Sequence, residues 1–321
     1  MRFSRLSHIL GPLLLFSSVL VSAQQYPITT LREFPNPTWL DSSAVRHNGD
    51  ILVTSATTNQ IFLVRPRNPN QIITVASIPN ANGANGIAEL EKDVFYINGA
   101  NYTFETGPIQ GTYGVWKLDF RGTSPKLSLV TMLPEARIAN GITRLHPTDN
   151  TFLLISDSIT GSIIRVNAKT GEYATVMQMA EMLPQPGFPT GVSVLRTYES
   201  YLYFNVIGSS LRRVPISITA GLATGPLETI LFTDAASFIL SRDGTKAWMS
   251  SHWINALQEV DIVNRQSKIV VQNQTDFITP TGAALGRKDG KDVVYIITGG
   301  GYSFDSEESV SGGKLIRVDV E

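Results

Sequence analysis

Residues Phe34–Pro66 read FPNPTWLDSSAVRHNGDILVTSATTNQIFLVRP, and this stretch decides the fold. Ser43 to Val45 begins a short apolar strand. His47-Asn48-Gly49-Asp50 is a turn, because an Asn-Gly pair accepts positive φ at little cost. Ile51 to Thr54, rich in β-branched residues, is a second strand. A polar bend at Ser55 to Asn59 leads into a third, Gln60 to Arg65, which stops at Pro66.

Outward from this unit, the same order returns. Asp41-Ser42 opens the first repeat; Asn85-Gly86, Asn140-Gly141, Thr190-Gly191, Ala235-Ala236 and Thr281-Gly282 open five more. The spacing is roughly 45 to 55 residues, the range of propeller blades. Second strands follow as VFYIN, FLLIS, YLYFNV, AWMSS and VVYIIT, and third strands as GVWKLDF, IIRVNA, LRRVPI, LQEVDI and LIRVDV. A fourth strand is present in every unit but the last, and ITTLREF, Ile28 to Phe34, is unclaimed. The expected fold is all-β: a six-bladed β-propeller over 24–321 whose last blade is closed by the N-terminal strand. Ala180 to Pro189 is the one stretch that could hold a turn of helix, ended by its prolines.

The 321 residues carry a net charge of −1 and no basic run, which gives no electrostatic reason to expect nucleic acid as a partner. Arg2 and Arg5, an apolar run from Ile9 to Val21 and the small-residue site Val21-Ser22-Ala23 describe a signal peptide over 1–23, with a secreted mature chain starting at Gln24 and no membrane span after it. There is no cysteine, so core burial alone must hold the chain together. Asn101-Tyr102-Thr103 and Asn273-Gln274-Thr275 are sequons, which makes Asn101 and Asn273 candidate glycosylation sites. A monomer is expected.

Topology places the site before any motif does. One mouth of the channel collects the openings of all first strands and the loops between second and third strands. The openings are Asp41, Asn85, Asn140, Thr190, Ala235 with its neighbours Asp234 and Ala236, and Thr281. Two loops are long, Asn98 to Gly114 and Gly299 to Gly313, and carry the aromatics Tyr102, Phe104, Tyr113, Tyr302 and Phe304. Loops of that length in a compact repeat read as lids. His47 and His146 fall in turns on the opposite face, which leaves His252 as the histidine of this mouth. Trp39, Trp253 and Tyr302 could wall an apolar ligand, whereas Trp116 and Trp248 lie within strand patterns as core. Gly299-Gly300-Gly301 permits a tight bend and lacks the lysine of a phosphate loop.

FPNPTWLDSSAVRHNGDILVT, NGITRL, TGSIIRVNAKTGEY, the YLYFN run, PTGAALGR and VVYIITGGG resemble fungal secreted propellers related to the senescence-marker-protein/gluconolactonase superfamily. That group includes lactonases and a branch, encoded with fungal tropolone–sesquiterpenoid pathways, that acts as hetero-Diels–Alderases. The lactonase resemblance implies one divalent cation, Ca²⁺ or Zn²⁺, with Asp41 in place of a glutamate and Asn85 and Asn140 as amide ligands. Hydroxyls at Thr190 and Thr281 and no aligned second carboxylate make that a poor cage for a hard cation. The hetero-Diels–Alderase resemblance implies a metal-independent cyclase without a cofactor, which orients an unsaturated polyketide and a terpenoid-type partner. In that case Asn85, Asn140 and His252 are the expected donors, with His252 as proton donor and Asp41 ordering the amides. Trp39, Tyr102, Thr190, Trp253, Thr281 and Tyr302 would contact the substrate. A non-catalytic binding propeller is the third possibility, since fold does not fix function.

Overall fold

In the second strand of each blade both faces are apolar, as strands sandwiched between neighbouring blades require. The computed structural model describes residues 26–103, 107–273, 275–303 and 306–321. The signal segment 1–23, the start at Gln24, Phe104, Phe304 and Gln274 of the second sequon lie outside the described residues. Six four-stranded antiparallel sheets form a six-bladed β-propeller. In the first blade the strands are Leu40–Val45, Ile51–Ser55, Thr58–Arg65 and Asn68–Ser77, from the axis outward. Every residue of Ile51–Ser55 is buried. The last blade pairs Ile28–Glu33 with Lys314–Asp319, so the N-terminal strand closes the ring as its outermost strand. Ala180–Met182 forms a single 3₁₀ turn. Among the described residues no helix is long and apolar enough to cross a membrane.

The innermost strands of every blade but the fifth carry one irregularity that builds the site. Leu40 pairs with Ser55, yet the next pair is Ser43 with Val53. Ala84–Gly99 is followed by Ile87–Ile97, Ala139–Asp157 by Ile142–Ile155, and Val192–Val206 by Leu195–Phe204. A β-bulge of this kind re-aims side chains. The residues in the bulges are Asp41-Ser42, Asn85-Gly86, Asn140-Gly141 and Ser193-Val194; in the sixth blade Thr281 holds the place, between Pro280 and Gly282.

Register therefore corrects one position. The fourth blade opens on Ser193, not Thr190, which precedes the strand Val192–Tyr198. The glycines of the Asn-Gly pairs are there for close approach between blades. A Cβ on Gly86 would lie 2.3 Å from the Asn140 carbonyl oxygen, and one on Gly141 would lie 2.3 Å from that of Ser193.

Polar side chains lace neighbouring blades together at five of the six seams at this level. Thr54 donates to the Asn85 carbonyl at 2.6 Å, Asn98 to Asn140 at 2.9 Å, Ser156 to Ser193 at 2.5 Å, and Asn205 to Ala235 at 2.8 Å. Thr281 ties the sixth blade to the first by donating to the Leu40 carbonyl at 2.6 Å. Asn98 and Asn205, which the sequence places in mouth loops, are buried strand residues with this fastening role. Apolar clusters fill the spaces between blades; Phe34, Leu40, Val53, Tyr295 and Leu315 join the first to the last.

Candidate active site

The bulges surround a cavity of about 140 Å³ on the propeller axis. Its lining includes Trp39, Asp41, Asn140, Ser193, Arg196, His252 and Thr281. Asp41 is the one carboxylate among these lining residues, and Arg196 the one guanidinium.

Asp41 is held by its neighbour in the ring. The Asn85 amide faces the Asp41 carboxylate and favours its ionised form, and the Asn85 Oδ1 accepts the hydroxyl of Tyr102. Tyr102 comes from the long second-blade loop, where Tyr102–Thr103 pairs with Gly107–Pro108. Its backbone is clamped by Asn82: the Tyr102 N–H donates to Asn82 Oδ1 at 2.8 Å, and Asn82 Nδ2 returns a bond to the Tyr102 carbonyl at 2.7 Å. The loop is thus an arm that fixes Asn85, and Tyr102 reaches the site through that amide.

Burial pushes the Asp41 carboxyl up to about 7, with the Asn85 bond opposing the rise. Near neutral pH a large share of Asp41 is the neutral acid. The oxygen that faces the Asn85 amide is then the carbonyl oxygen, and the other carries the proton as an O–H donor.

The remaining candidates differ from expectation in their free valences. Asn140 directs its Nδ2 to Ser158 and Ser193, both at 3.2 Å, so its donor capacity is spent within the ring. Asn85 is likewise committed to Asp41 and Tyr102. Thr281 lines the cavity, but its hydroxyl proton is given to a backbone carbonyl. Thr190 is not among the lining residues. His252 is drawn down to about 4 by burial alone, so at neutral pH it is a neutral imidazole and not a proton-donating imidazolium. Asp234 is exposed, and the fifth blade offers Ala236 and Ser237 instead.

The aromatic wall forms a continuous series. Tyr302 meets Trp39 edge-on at 6.4 Å, Trp39 meets His252 at 5.4 Å, and His252 meets Trp253 at 4.9 Å. Phe188, from the proline-rich segment before the fourth blade, extends the series to Trp253 at 5.3 Å. Gly299 makes room for it, since a Cβ there would sit 2.7 Å from the Trp39 ring. Sequence reasoning had missed Phe188, Ser193 and Arg196. Phe188 sits in a segment without periodicity, and Ser193 and Arg196 would fall on opposite faces of a regular strand, so that only the bulge at Ser193-Val194 brings both to the cavity.

A divalent cation fits this donor set poorly. Asp41 is a single carboxylate whose burial favours its neutral form, and the Asn85 oxygen already accepts from Tyr102. Among the described residues no group of three or more His, Cys, Asp or Glu is arranged to hold a metal. Asn101 and Asn273 lie in loops, where Asn101 Nδ2 donates to the Asn80 carbonyl at 2.9 Å and Asn273 Oδ1 accepts from the N–H of Thr275 at 2.8 Å.

No family model matches the chain. Two curated fungal proteins do. A candidate hetero-Diels–Alderase of Phoma sp. is 26% identical over 310 residues, covering 85% of this chain and 86% of its own. A second candidate hetero-Diels–Alderase, from Sarocladium schorii, is 25% identical over 203 residues, covering 56% of this chain and 50% of that protein. Among solved structures, the calcium-binding protein regucalcin of Agrobacterium tumefaciens aligns with a TM-score of 0.63 at 14% identity, over 93% of this chain and 96% of that one. The PQQ-bound aldose sugar dehydrogenase of Streptomyces coelicolor aligns at 0.57 and 13%, over 92% and 98%. At such identities these two structures speak to the propeller fold.

Proposed function

We propose that this protein is a metal-independent cyclase of the hetero-Diels–Alderase kind, which holds the reacting ends of an unsaturated polyketide and a terpenoid-type partner at the mouth of the axial cavity. The observation that carries this reading is the Tyr102–Asn85–Asp41 series, which presents a carboxyl that keeps a large share of its protons near neutral pH beside an aromatic wall. A cycloaddition between a heterodiene and an alkene needs the two partners in near-attack geometry. Trp39 and His252, which line the cavity and are flanked by Tyr302 and Trp253, supply flat surfaces against which such partners stack. The O–H of Asp41 then bonds to the heterodiene oxygen, which gains negative charge as the new bonds form. Neutral His252 serves as wall and as a hydrogen-bonding group of fixed charge. The similarity to the Phoma sp. protein over most of both chains supports the same reading.

The test is to mix purified protein with conjugated enone and alkene pairs and to follow the enantiomeric excess of the cycloadduct with and without EDTA. One enantiomer in excess over the uncatalysed background, unchanged by EDTA, is expected. Loss of the excess with EDTA, restored by Ca²⁺ or Zn²⁺, would sink the metal-independent reading. Tyr102→Phe should slow the reaction roughly tenfold, the value of about one buried hydrogen bond. It should also shift the alkaline limb of the pH–rate profile upward, because a less well-anchored Asn85 stabilises the ionised Asp41 less. An unchanged profile would detach Tyr102 from Asp41.

We also propose that the chain enters the secretory pathway through residues 1–23. Expression in a fungal host should give extracellular protein whose N-terminus is Gln24, with a mass that drops on enzymatic deglycosylation if Asn101 or Asn273 is occupied. Intact Met1 on the extracted protein would refute cleavage.

A further inference from the structure

Arg196 lies in the innermost strand of the fourth blade, three residues beyond Ser193, and lines the axial cavity. Its Nη1 donates to the Leu195 carbonyl at 2.8 Å and its Nη2 to the Ala283 carbonyl at 3.3 Å. Ala283 belongs to the sixth blade, so the side chain reaches past the fifth blade across the axis. Of the five N–H groups of a guanidinium these bonds take two, which leaves three. Among the described residues no carboxylate pairs with it; burial alone acts on it and draws it down to about 10, where it is still charged at neutral pH. A buried cation without a counter-ion is costly, and replacing it by an apolar side chain removes that cost.

The rest of the lining neutralises it only in part. Asp41 carries about half a negative charge near pH 7 and His252 is neutral, each because burial disfavours its charge. The cavity is therefore an open-mouthed space of mixed polarity with a positive character, flanked by rings that stack on flat ligands. We propose that the axial cavity recognises its ligand through a planar, delocalised oxyanion, a carboxylate or enolate, which Arg196 clamps with its remaining N–H groups while the aromatic wall covers the face of the conjugated system. A guanidinium matches such an oxyanion in shape as well as charge. This inference rests on the axial cavity being the substrate site, but on no reaction taking place there.

Benzoate and benzamide, two flat probes that differ in charge, test it by isothermal titration at pH 7. The parent protein should bind benzoate at least tenfold tighter than benzamide. Arg196→Met should abolish that preference by weakening benzoate far more than benzamide, and Arg196→Lys should keep part of it. The melting temperature of Arg196→Met should equal or exceed that of the parent, which separates lost recognition from lost folding. Equal binding of the two probes by the parent, a preference that survives Arg196→Met, or no benzoate binding at tens of millimolar would each overturn the proposal. The titration needs no turnover, so its outcome is separate from that of the cyclase test. A protein that cyclises neutral partners yet shows no benzoate preference would refute the oxyanion clamp alone.

Discussion

Asp41→Ala should lower the cyclisation rate by about 10²–10³-fold at pH 6, the usual cost of removing one preorganised donor to a developing oxyanion. His252→Ala, which removes a stacking surface and no charge, should cost less. This order reverses the one expected from sequence, where His252 was the proton donor and Asp41 an organiser. In the structure burial disfavours charge on both groups, and for Asp41 that leaves an acid proton while for His252 it takes one away.

The pH dependence follows from the same property. If the neutral acid is the working form, the rate is flat below about 7 and falls about tenfold per unit above it. A rate that climbs through pH 7 would make Asp41 a base and overturn the donor assignment. Stability moves with it. The folded-state value, about 7, is raised above the ordinary 3.8, so between those pH values the folded chain binds more protons than the unfolded one. Stability from this group is full below 3.8, declines as pH rises, and is lost above about 7. Asp41→Asn should therefore melt higher than the parent at pH 8, with the gap closing by pH 4. A constant gap would mean that Asp41 is ionised throughout.

Removal of residues 24–34 should leave essentially no soluble protein. Among the described residues the strand Ile28–Glu33 is the only strand paired with the outer edge of Lys314–Asp319. Ahead of it, Tyr26 donates its N–H to the Val270 carbonyl at 2.8 Å and its hydroxyl to Glu259 at 2.5 Å, which ties the closing strand to the fifth blade. Phe34 is 3% exposed and packs edge-on to Phe62 at 5.3 Å, in the cluster that joins the first blade to the last. The deletion exposes an unpaired edge and opens that cluster, a loss comparable to the whole stability of a domain, about 5–15 kcal/mol. Phe34→Ala isolates the packing part and should cost about 3–5 kcal/mol in urea unfolding. A truncated chain that folds with the parental melting temperature would refute closure by this strand.

The sequence by itself determined the blades, because a strand pressed between two neighbours must be apolar on both faces, and ILVTS, VFYIN and YLYFNV carry that requirement in their composition. It also determined the ring closure, since ITTLREF had no partner and the last blade lacked a strand. It located most of the ring, where Asp41, Asn85 and Asn140 stand directly before Ser or Gly. It failed at Thr190, because Thr190-Gly191 copies the spelling of Thr281-Gly282 while the bulge of the fourth blade falls three residues later, at Ser193. A bulge is a matter of register against the partner strand, which spelling does not record. Only the tertiary structure decided which polar groups are free. Asn98, Asn140, Asn205 and Thr281 spend their hydrogen bonds on neighbouring blades, and Arg196 crosses the axis to the sixth blade. Only it decided protonation, because the state of Asp41 and His252 depends on how much water the assembled ring excludes, a quantity that no residue carries alone.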